Sequence, residues 1–255
     1  TGRAHLIGIT GATGSGKSSL VNQLVHYIRK NAPQIRVAVI AIDPSSPFSG
    51  GALLGDRIRM RDLLDDPGVY IRSMAARGAM GGIAAATSTV CQVFDACGYD
   101  IIFIETVGAG QSEVEIAGLA HTTIVVDAPG MGDDIQAIKA GILEIADIVV
   151  LNKADRPGAE AAESALRSML LFSDLETGWR PRVLLTVATN NQGTGEVVQA
   201  IEEHMKYLHQ TGMWEEKAKR RAEYEFETTL RAIFWNNLQK LFQDMDIEYF
   251  RQQVT

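Results

Sequence analysis

The chain has 255 residues, with 24 Lys and Arg against 31 Asp and Glu, giving a formal net charge of −7. Hydrophobic residues make up 46% and charged residues 22%, which is enough apolar material for a substantial core and too much for a disordered chain. The acidic balance argues against a nucleic-acid partner, no apolar run reaches the ~18 residues of a membrane span, and two cysteines, Cys91 and Cys97, cannot make a disulfide framework.

His5–Thr10 is an apolar run that predicts a first strand. It is followed by Gly11-Ala12-Thr13-Gly14-Ser15-Gly16-Lys17-Ser18, a match to G-x-x-x-x-G-K-[ST], and by a helix pattern from Lys17 to about Lys30. Strand, glycine-rich turn and helix in that order make a phosphate cradle. Glycines let successive backbone N–H groups face inward, and the helix N-terminus favours negative charge. Lys17 is placed to reach the β- and γ-phosphates, and the Ser18 hydroxyl to bind Mg²⁺.

Arg36–Ile42 predicts a buried strand ended by Asp43-Pro44, Val69–Ser73 a short one, Ile83–Ala96 a helix, and Ile101–Ile104 a strand stopped by Glu105. Carboxylates at the carboxyl ends of neighbouring parallel strands face the ligand crevice, and Mg²⁺ takes hard oxygen ligands. Asp43 and Glu105 are therefore assigned to Mg²⁺, directly or through water, with Asp56 as a further candidate. Asp56 lies in a polar, glycine-containing loop with Arg57, Arg59 and Arg61, arginines that read first as a solvated basic face. Glu105–Gln111, with Gly108 and Gly110, has the form of a segment that meets the γ-phosphate and moves when it leaves.

Thr122–Val126 and Ile148–Leu151 predict two more strands, with a glycine-containing loop around Asp133, Gln136 and Lys139 between them. The second strand leads into Asn152-Lys153-Ala154-Asp155, the N-K-x-D pattern. An aspartate there accepts from guanine N1–H and the 2-amino group; adenine has no such donor pair and would leave the carboxylate unsatisfied. Asn152 would hold loops together, and the Lys153 stem would cover the base plane. Val183–Val187 predicts another strand, and Val187-Ala188-Thr189 would bring a backbone N–H to guanine O6. After Gly212 the character changes. Residues 213–255 contain no Gly or Pro but eight of the 17 aromatics, and Leu230, Phe234, Leu238, Leu241 and Met245 recur at helical spacing. Two helices are expected there.

Short apolar runs alternating with helical stretches give an α/β fold, a P-loop NTPase three-layer sandwich with a mostly parallel sheet, plus a C-terminal helical dimerisation arm. The division falls as residues 1–210 and 211–255. An aromatic face that one chain cannot bury alone is the reason to expect a homodimer.

In order, GATGSGKSS, AIDPSSPFSGGALLGDRIRM, RGAMGGIA, ETVGAGQSE, PGMGDDIQAIKAG and NKAD resemble the MeaB/ArgK-like GTPases, the methylmalonic aciduria type A family. The resemblance implies a slow GTPase, stimulated by its partner. It implies a chaperone that gates adenosylcobalamin loading of an acyl-CoA mutase and protects that enzyme. It also implies a phosphate loop over Gly11–Ser19, Mg²⁺ and a first switch at Asp43 and Asp56, and a second switch from Glu105 to Gln111. A third, partner-coupling switch is implied at Asp133, Gln136 and Lys139, and dimerisation through C-terminal helices. The chain departs from the family in lacking an N-terminal helical extension and prolines in Ser73–Ala79. It lacks the D-x-H-x-x-G of cobalamin-binding domains, so it reads as the accessory protein and not the mutase. It begins at Thr1 and not Met, so an upstream segment is expected; the expected location is bacterial cytoplasm, or the mitochondrial matrix if that segment carried a transit peptide.

Two other readings compete. A P-loop small-molecule kinase would pass the γ-phosphate to a metabolite, but N-K-A-D selects guanine. A metal-insertion GTPase for another metalloenzyme would carry a His- or Cys-rich metal store, which the sequence lacks.

Overall fold

In a computed structural model, residues 3–44, 60–76, 82–106, 118–131, 143–172 and 178–243 are described. The strands are β1 (His5–Thr10), β2 (Val37–Pro44), β3 (Val69–Ala76), β4 (Ile101–Glu105), β5 (Thr122–Asp127), β6 (Ile148–Asn152) and β7 (Arg182–Thr186). The α-helices are α1 (Lys17–Asn31), α2 (Gly82–Ala96), α3 (Ala159–Phe172), α4 (Thr194–Thr211) and α5 (Met213–Gln243). The strands form one seven-stranded sheet in the order β3-β2-β4-β1-β5-β6-β7. Every neighbouring pair is parallel.

Strands β1, β5 and β6 are buried along their whole length because both faces of the sheet are covered. Side chains alternate between two cores, as the period of two requires. Ile7, Ile9, Val37, Val39, Phe103, Ile124, Val126, Ile148 and Val150 pack against Leu20, Leu24 and Ile28 of α1 and Val197 and Ile201 of α4. On the other face, Leu6, Ala38, Ile40, Ile102 and Ile104 meet Cys91 and Phe94 of α2. Val149 and Leu151 meet Leu166 of α3. The result is the expected three-layer sandwich.

The expected helical tail is described as far as Gln243, and residues 244–255 lie outside the described residues. The stretch from Met213 to Gln243 is one continuous 31-residue helix. The break falls at Gly212, whose φ of +74° ends α4, and no Gly or Pro follows to interrupt α5. Helix α5 has two halves. Its start is docked: Trp214 stacks on His121 (3.9 Å between ring centroids) and on His209 (4.4 Å). Further along, Glu225 accepts hydrogen bonds from Ser88 and from Gln92 of α2, the latter at 2.6 Å. Beyond it, Phe226 (69% exposed), Leu230, Ile233, Phe234 (65% exposed) and Trp235 face solvent in the single chain. Among the described residues, no helix is long and apolar enough to cross a membrane.

Where α5 docks, a polar network runs beneath the amino ends of the central strands. The His5 Nε2 lies 2.7 Å from Thr122 Oγ1, which lies 2.9 Å from His204 Nδ1. His204 Nε2 is 3.3 Å from Asp147 Oδ1, and Lys217 Nζ donates to the His121 carbonyl at 2.7 Å and to Asp147 Oδ2 at 3.3 Å. Burial, helped by nearby cations and by the other histidines, lowers the pKa of His5 to about 3, His121 to about 2 and His204 to about 3. Burial also raises the Asp147 carboxyl, against the pull of Lys217.

A folded-state pKa below the ordinary value of 6.5 means that the unfolded chain binds more protons between pH 6.5 and about 3. Stability is therefore greatest above pH 6.5 and falls on acidification, by up to about 1.4 kcal/mol per pH unit for each histidine, partly offset by Asp147. Urea-unfolding midpoints measured from pH 7 to pH 4 should fall steeply, and His204→Gln should flatten that slope.

Candidate functional site

All seven strands point the same way, so their carboxyl ends gather along one edge of the sheet. At that edge β1 turns into the phosphate loop. Gly11 has φ +130°, and a Cβ there would lie 2.0 Å from the Val126 carbonyl oxygen. Gly16, the left-handed N-cap of α1 at φ +96°, leaves no more room: a Cβ would lie 2.3 Å from Asn152 Nδ2. Neither position accepts a side chain without moving the loop. The first turn of α1 carries no acidic residue, and its N-terminus opens on the loop, where the helix dipole favours negative charge.

Lys17 is buried, and its ammonium donates to the carbonyls of Gly11 at 2.8 Å and Ala12 at 3.0 Å. The Ser18 hydroxyl donates to Glu105 Oε1 at 2.6 Å. Two buried hard oxygens side by side at the head of α1 are a donor set that suits Mg²⁺. Asp43 lies near the same end. Ala41 pairs with Glu105, and Asp43 stands two residues further along β2.

The base loop is joined to the phosphate loop through Asn152, which is 2% exposed. Its Nδ2 donates to the Ser15 carbonyl at 2.9 Å, while its Oδ1 accepts from the Thr186 hydroxyl and from the Ala188 N–H, both at 3.1 Å. Lys153 has a left-handed backbone (φ +57°), and its ammonium reaches the Gly14 carbonyl at 2.6 Å. Its stem thus spans from one loop to the other. Such a backbone is uncommon for a residue with a side chain and marks a position held by its surroundings. Asp155 is exposed and lines a cavity of about 220 Å³ with Ala154, Leu185, Thr186, Val187 and Gln192. Val187 and Gln192 exchange backbone hydrogen bonds across the turn at Ala188–Asn190.

The structure therefore brings together the loop Gly11–Ser19, Glu105, Asn152, Lys153, Asp155 and the segment Val187–Thr189. Strand β7 ends at Thr186, one residue before the predicted boundary, which leaves Val187 to open the turn. Asp56, Arg57, Arg59, Gly108–Gln111, Asp133, Gln136 and Lys139 lie outside the described residues. Arg61 is exposed in a single 3₁₀ turn, Arg61–Leu63. Thr186 was not singled out in the sequence, although a polar residue closing an apolar strand beside a base loop is the signal that marks it.

Comparison with known proteins gives a consistent result. The family model for the methylmalonyl Co-A mutase-associated GTPase MeaB matches residues 1–243. A Pyrococcus abyssi protein described as a GTPase is 49% identical over 258 residues, covering 100% of this chain and 79% of that protein. The mouse mitochondrial methylmalonic aciduria type A homolog is 33% identical over 249 residues, covering 96% of this chain and 57% of that protein. A solved structure of a LAO/AO transport system kinase superposes with a TM-score of 0.74 at 27% identity, covering 98% of this chain and 74% of that one.

Removing the Asn152 carboxamide leaves the Ser15 carbonyl, the Thr186 hydroxyl and the Ala188 N–H without their shared partner. Asn152→Ala should lower the unfolding free energy by about 2–4 kcal/mol, read from denaturant titration of the nucleotide-free protein.

Proposed function

The chain belongs to the family of methylmalonyl-CoA mutase-associated MeaB GTPases, and from that premise we propose that it is a GTP-dependent chaperone of an adenosylcobalamin-dependent acyl-CoA mutase. It gates cofactor loading and protects the loaded enzyme. As a P-loop GTPase it takes a guanine nucleotide; the finer assignments are ours. The observation that carries the nucleotide reading is the Asn152 junction, which ties an N-K-A-D loop to a G-x-x-x-x-G-K-S loop in one rigid unit.

In this reading the N–H groups of Gly11–Ser19 and the start of α1 hold the phosphates. Lys17 leaves the Gly11 and Ala12 carbonyls for the β- and γ-phosphate oxygens. Ser18, Glu105, Asp43 and Asp56 hold Mg²⁺, which when bound neutralises charge developing on the phosphates. Asp155 accepts from guanine N1–H and the 2-amino group, the Lys153 stem covers the base, and a backbone N–H of Val187–Thr189 meets O6. Asp133, Gln136 and Lys139 couple the nucleotide state to the mutase. Residues 1–210 form the GTPase domain and 211–255 the arm. A second copy covers the exposed aromatic stripe of α5, giving a homodimer. The protein acts in the bacterial cytoplasm or in the mitochondrial matrix; the mouse relative is named as mitochondrial.

A second reading, phosphoryl transfer to a metabolite, is favoured by the description of the solved relative as a kinase. The fate of the γ-phosphate separates the two. GTP labelled at the γ-position should release inorganic phosphate slowly, with release accelerated by a cobalamin-dependent acyl-CoA mutase; label arriving on a small molecule, or a fast rate indifferent to every such mutase, would sink the proposal. Asp155→Asn replaces an acceptor pair by a donor and an acceptor. It should weaken GDP binding at least about tenfold and favour xanthosine diphosphate, measured by calorimetry.

A further inference from the structure

Thr10 and Thr106 form a side-chain crosslink at the carboxyl ends of β1 and β4. The parallel register sets Ile9 opposite Glu105, and the Thr106 N–H donates to the Ile9 carbonyl at 3.0 Å. The Thr106 hydroxyl lies 3.2 Å from the Thr10 hydroxyl and 3.5 Å from the same Ile9 carbonyl. Both side chains are sealed from water, Thr10 at 1% and Thr106 at 2% exposed. A buried hydroxyl needs a partner, and these two supply one another. Valine has nearly the same shape and would fill the space, so packing alone does not call for a threonine at either position.

What the pair joins gives it consequence. Thr10 is bonded to Gly11, where the phosphate loop begins and whose carbonyl holds the Lys17 ammonium. Thr106 is bonded to Glu105, whose carboxylate meets the Ser18 hydroxyl at 2.6 Å. The hydroxyl pair therefore sets the spacing between the strand that carries the phosphate loop and the strand that carries the carboxylate. We propose that Thr10 and Thr106 are positioning residues for GTP hydrolysis, acting through the Ser18–Glu105 oxygen pair and neither touching the nucleotide. A carboxylate displaced by a few tenths of an ångström still permits a nucleotide to bind by its base and phosphate amides. It weakens whatever depends on the cation. This inference rests on reading Gly11–Ser18 and Glu105 as the phosphate and Mg²⁺ site.

The test uses the full chain and measures GTP turnover together with GDP affinity in Mg²⁺ and in EDTA. Thr106→Val and Thr10→Val should each lower turnover roughly tenfold, the size of one lost hydrogen bond. Each should shrink the gain in GDP affinity that Mg²⁺ brings and leave the Mg²⁺-free affinity unchanged. The double variant should be no worse than Thr106→Val alone, because both substitutions remove the Thr10–Thr106 contact. Thr106→Ser, which keeps the hydroxyl, should restore turnover to within about threefold of the parent. The inference is overturned if Thr106→Val turns over GTP at the parental rate, if the two losses multiply, or if GDP affinity falls equally with and without Mg²⁺. Lys17→Ala serves as the control: if it too leaves turnover unchanged, the phosphate-site reading fails and the inference with it.

Discussion

The Asn152 carboxamide holds two loops that arrive from opposite directions. Ser15 reaches it from the phosphate loop, Thr186 and Ala188 from the end of β7, and Asn152 itself closes β6. A buried amide has one acceptor oxygen and two donors, and three bonds to two segments fill most of that capacity. In a low-dielectric interior each bond is stronger than in water, and each is correspondingly harmful to lose. In the proposed reading, a nucleotide that spans the two loops needs them at fixed separation. Asn152 ties the loops together, and a Cβ on Gly16 would lie 2.3 Å from its Nδ2, so little slack remains.

The parallel sheet makes this arrangement possible. Right-handed crossovers return every strand to the same end, so β1, β4, β6 and β7 can each deliver one functional segment to a single edge. The opposite ends of the same strands do different work. His5 at the start of β1, His121 and Thr122 at the start of β5, and Asp147 just before β6 form the seat of α5. Strands buried on both faces are stiff. The seat of the arm and the nucleotide edge are therefore joined by strands of five or six residues.

Much of this was legible in the sequence because the signals were local. The run His5–Thr10, the glycines and Lys17-Ser18 carry strand, turn and helix start within fourteen residues, and N-K-A-D sits directly on the end of an apolar strand. Strand ends were legible to within a few residues: β2 and β3 continue to Pro44 and Ala76 because pairing between them extends past the apolar stretch. What was not legible is long-range. No spacing rule brings Thr122 to His204 or Ser88 to Glu225, since each pairing depends on how helices lie across the sheet. The Thr10–Thr106 contact is of the same kind, 96 residues apart and invisible until β1 and β4 are known to be neighbours. That Met213–Gln243 is one helix is not legible either, for a different reason. Periodicity reports a helical face but does not say where one helix stops, and only a breaker such as Gly212 does.

The division of α5 at about Glu225 follows from the same physics. Up to that point the helix has polar and aromatic partners on α2, α4 and the strand ends, so its docking is specific in direction as well as favourable. Past it, Phe226, Leu230, Ile233, Phe234 and Trp235 present large apolar surface to water. A helix of this length with no tertiary contact along its outer half would fray, because isolated helical segments are marginal in water and draw their stability from packing of an apolar face. The docked half fixes the angle at which the outer half leaves the domain. An arm aimed by hydrogen bonds and stacked rings at its base, and carrying exposed aromatic side chains beyond, presents a defined surface in a defined direction. That geometry suits a symmetric partner, which must meet the same surface from the other side.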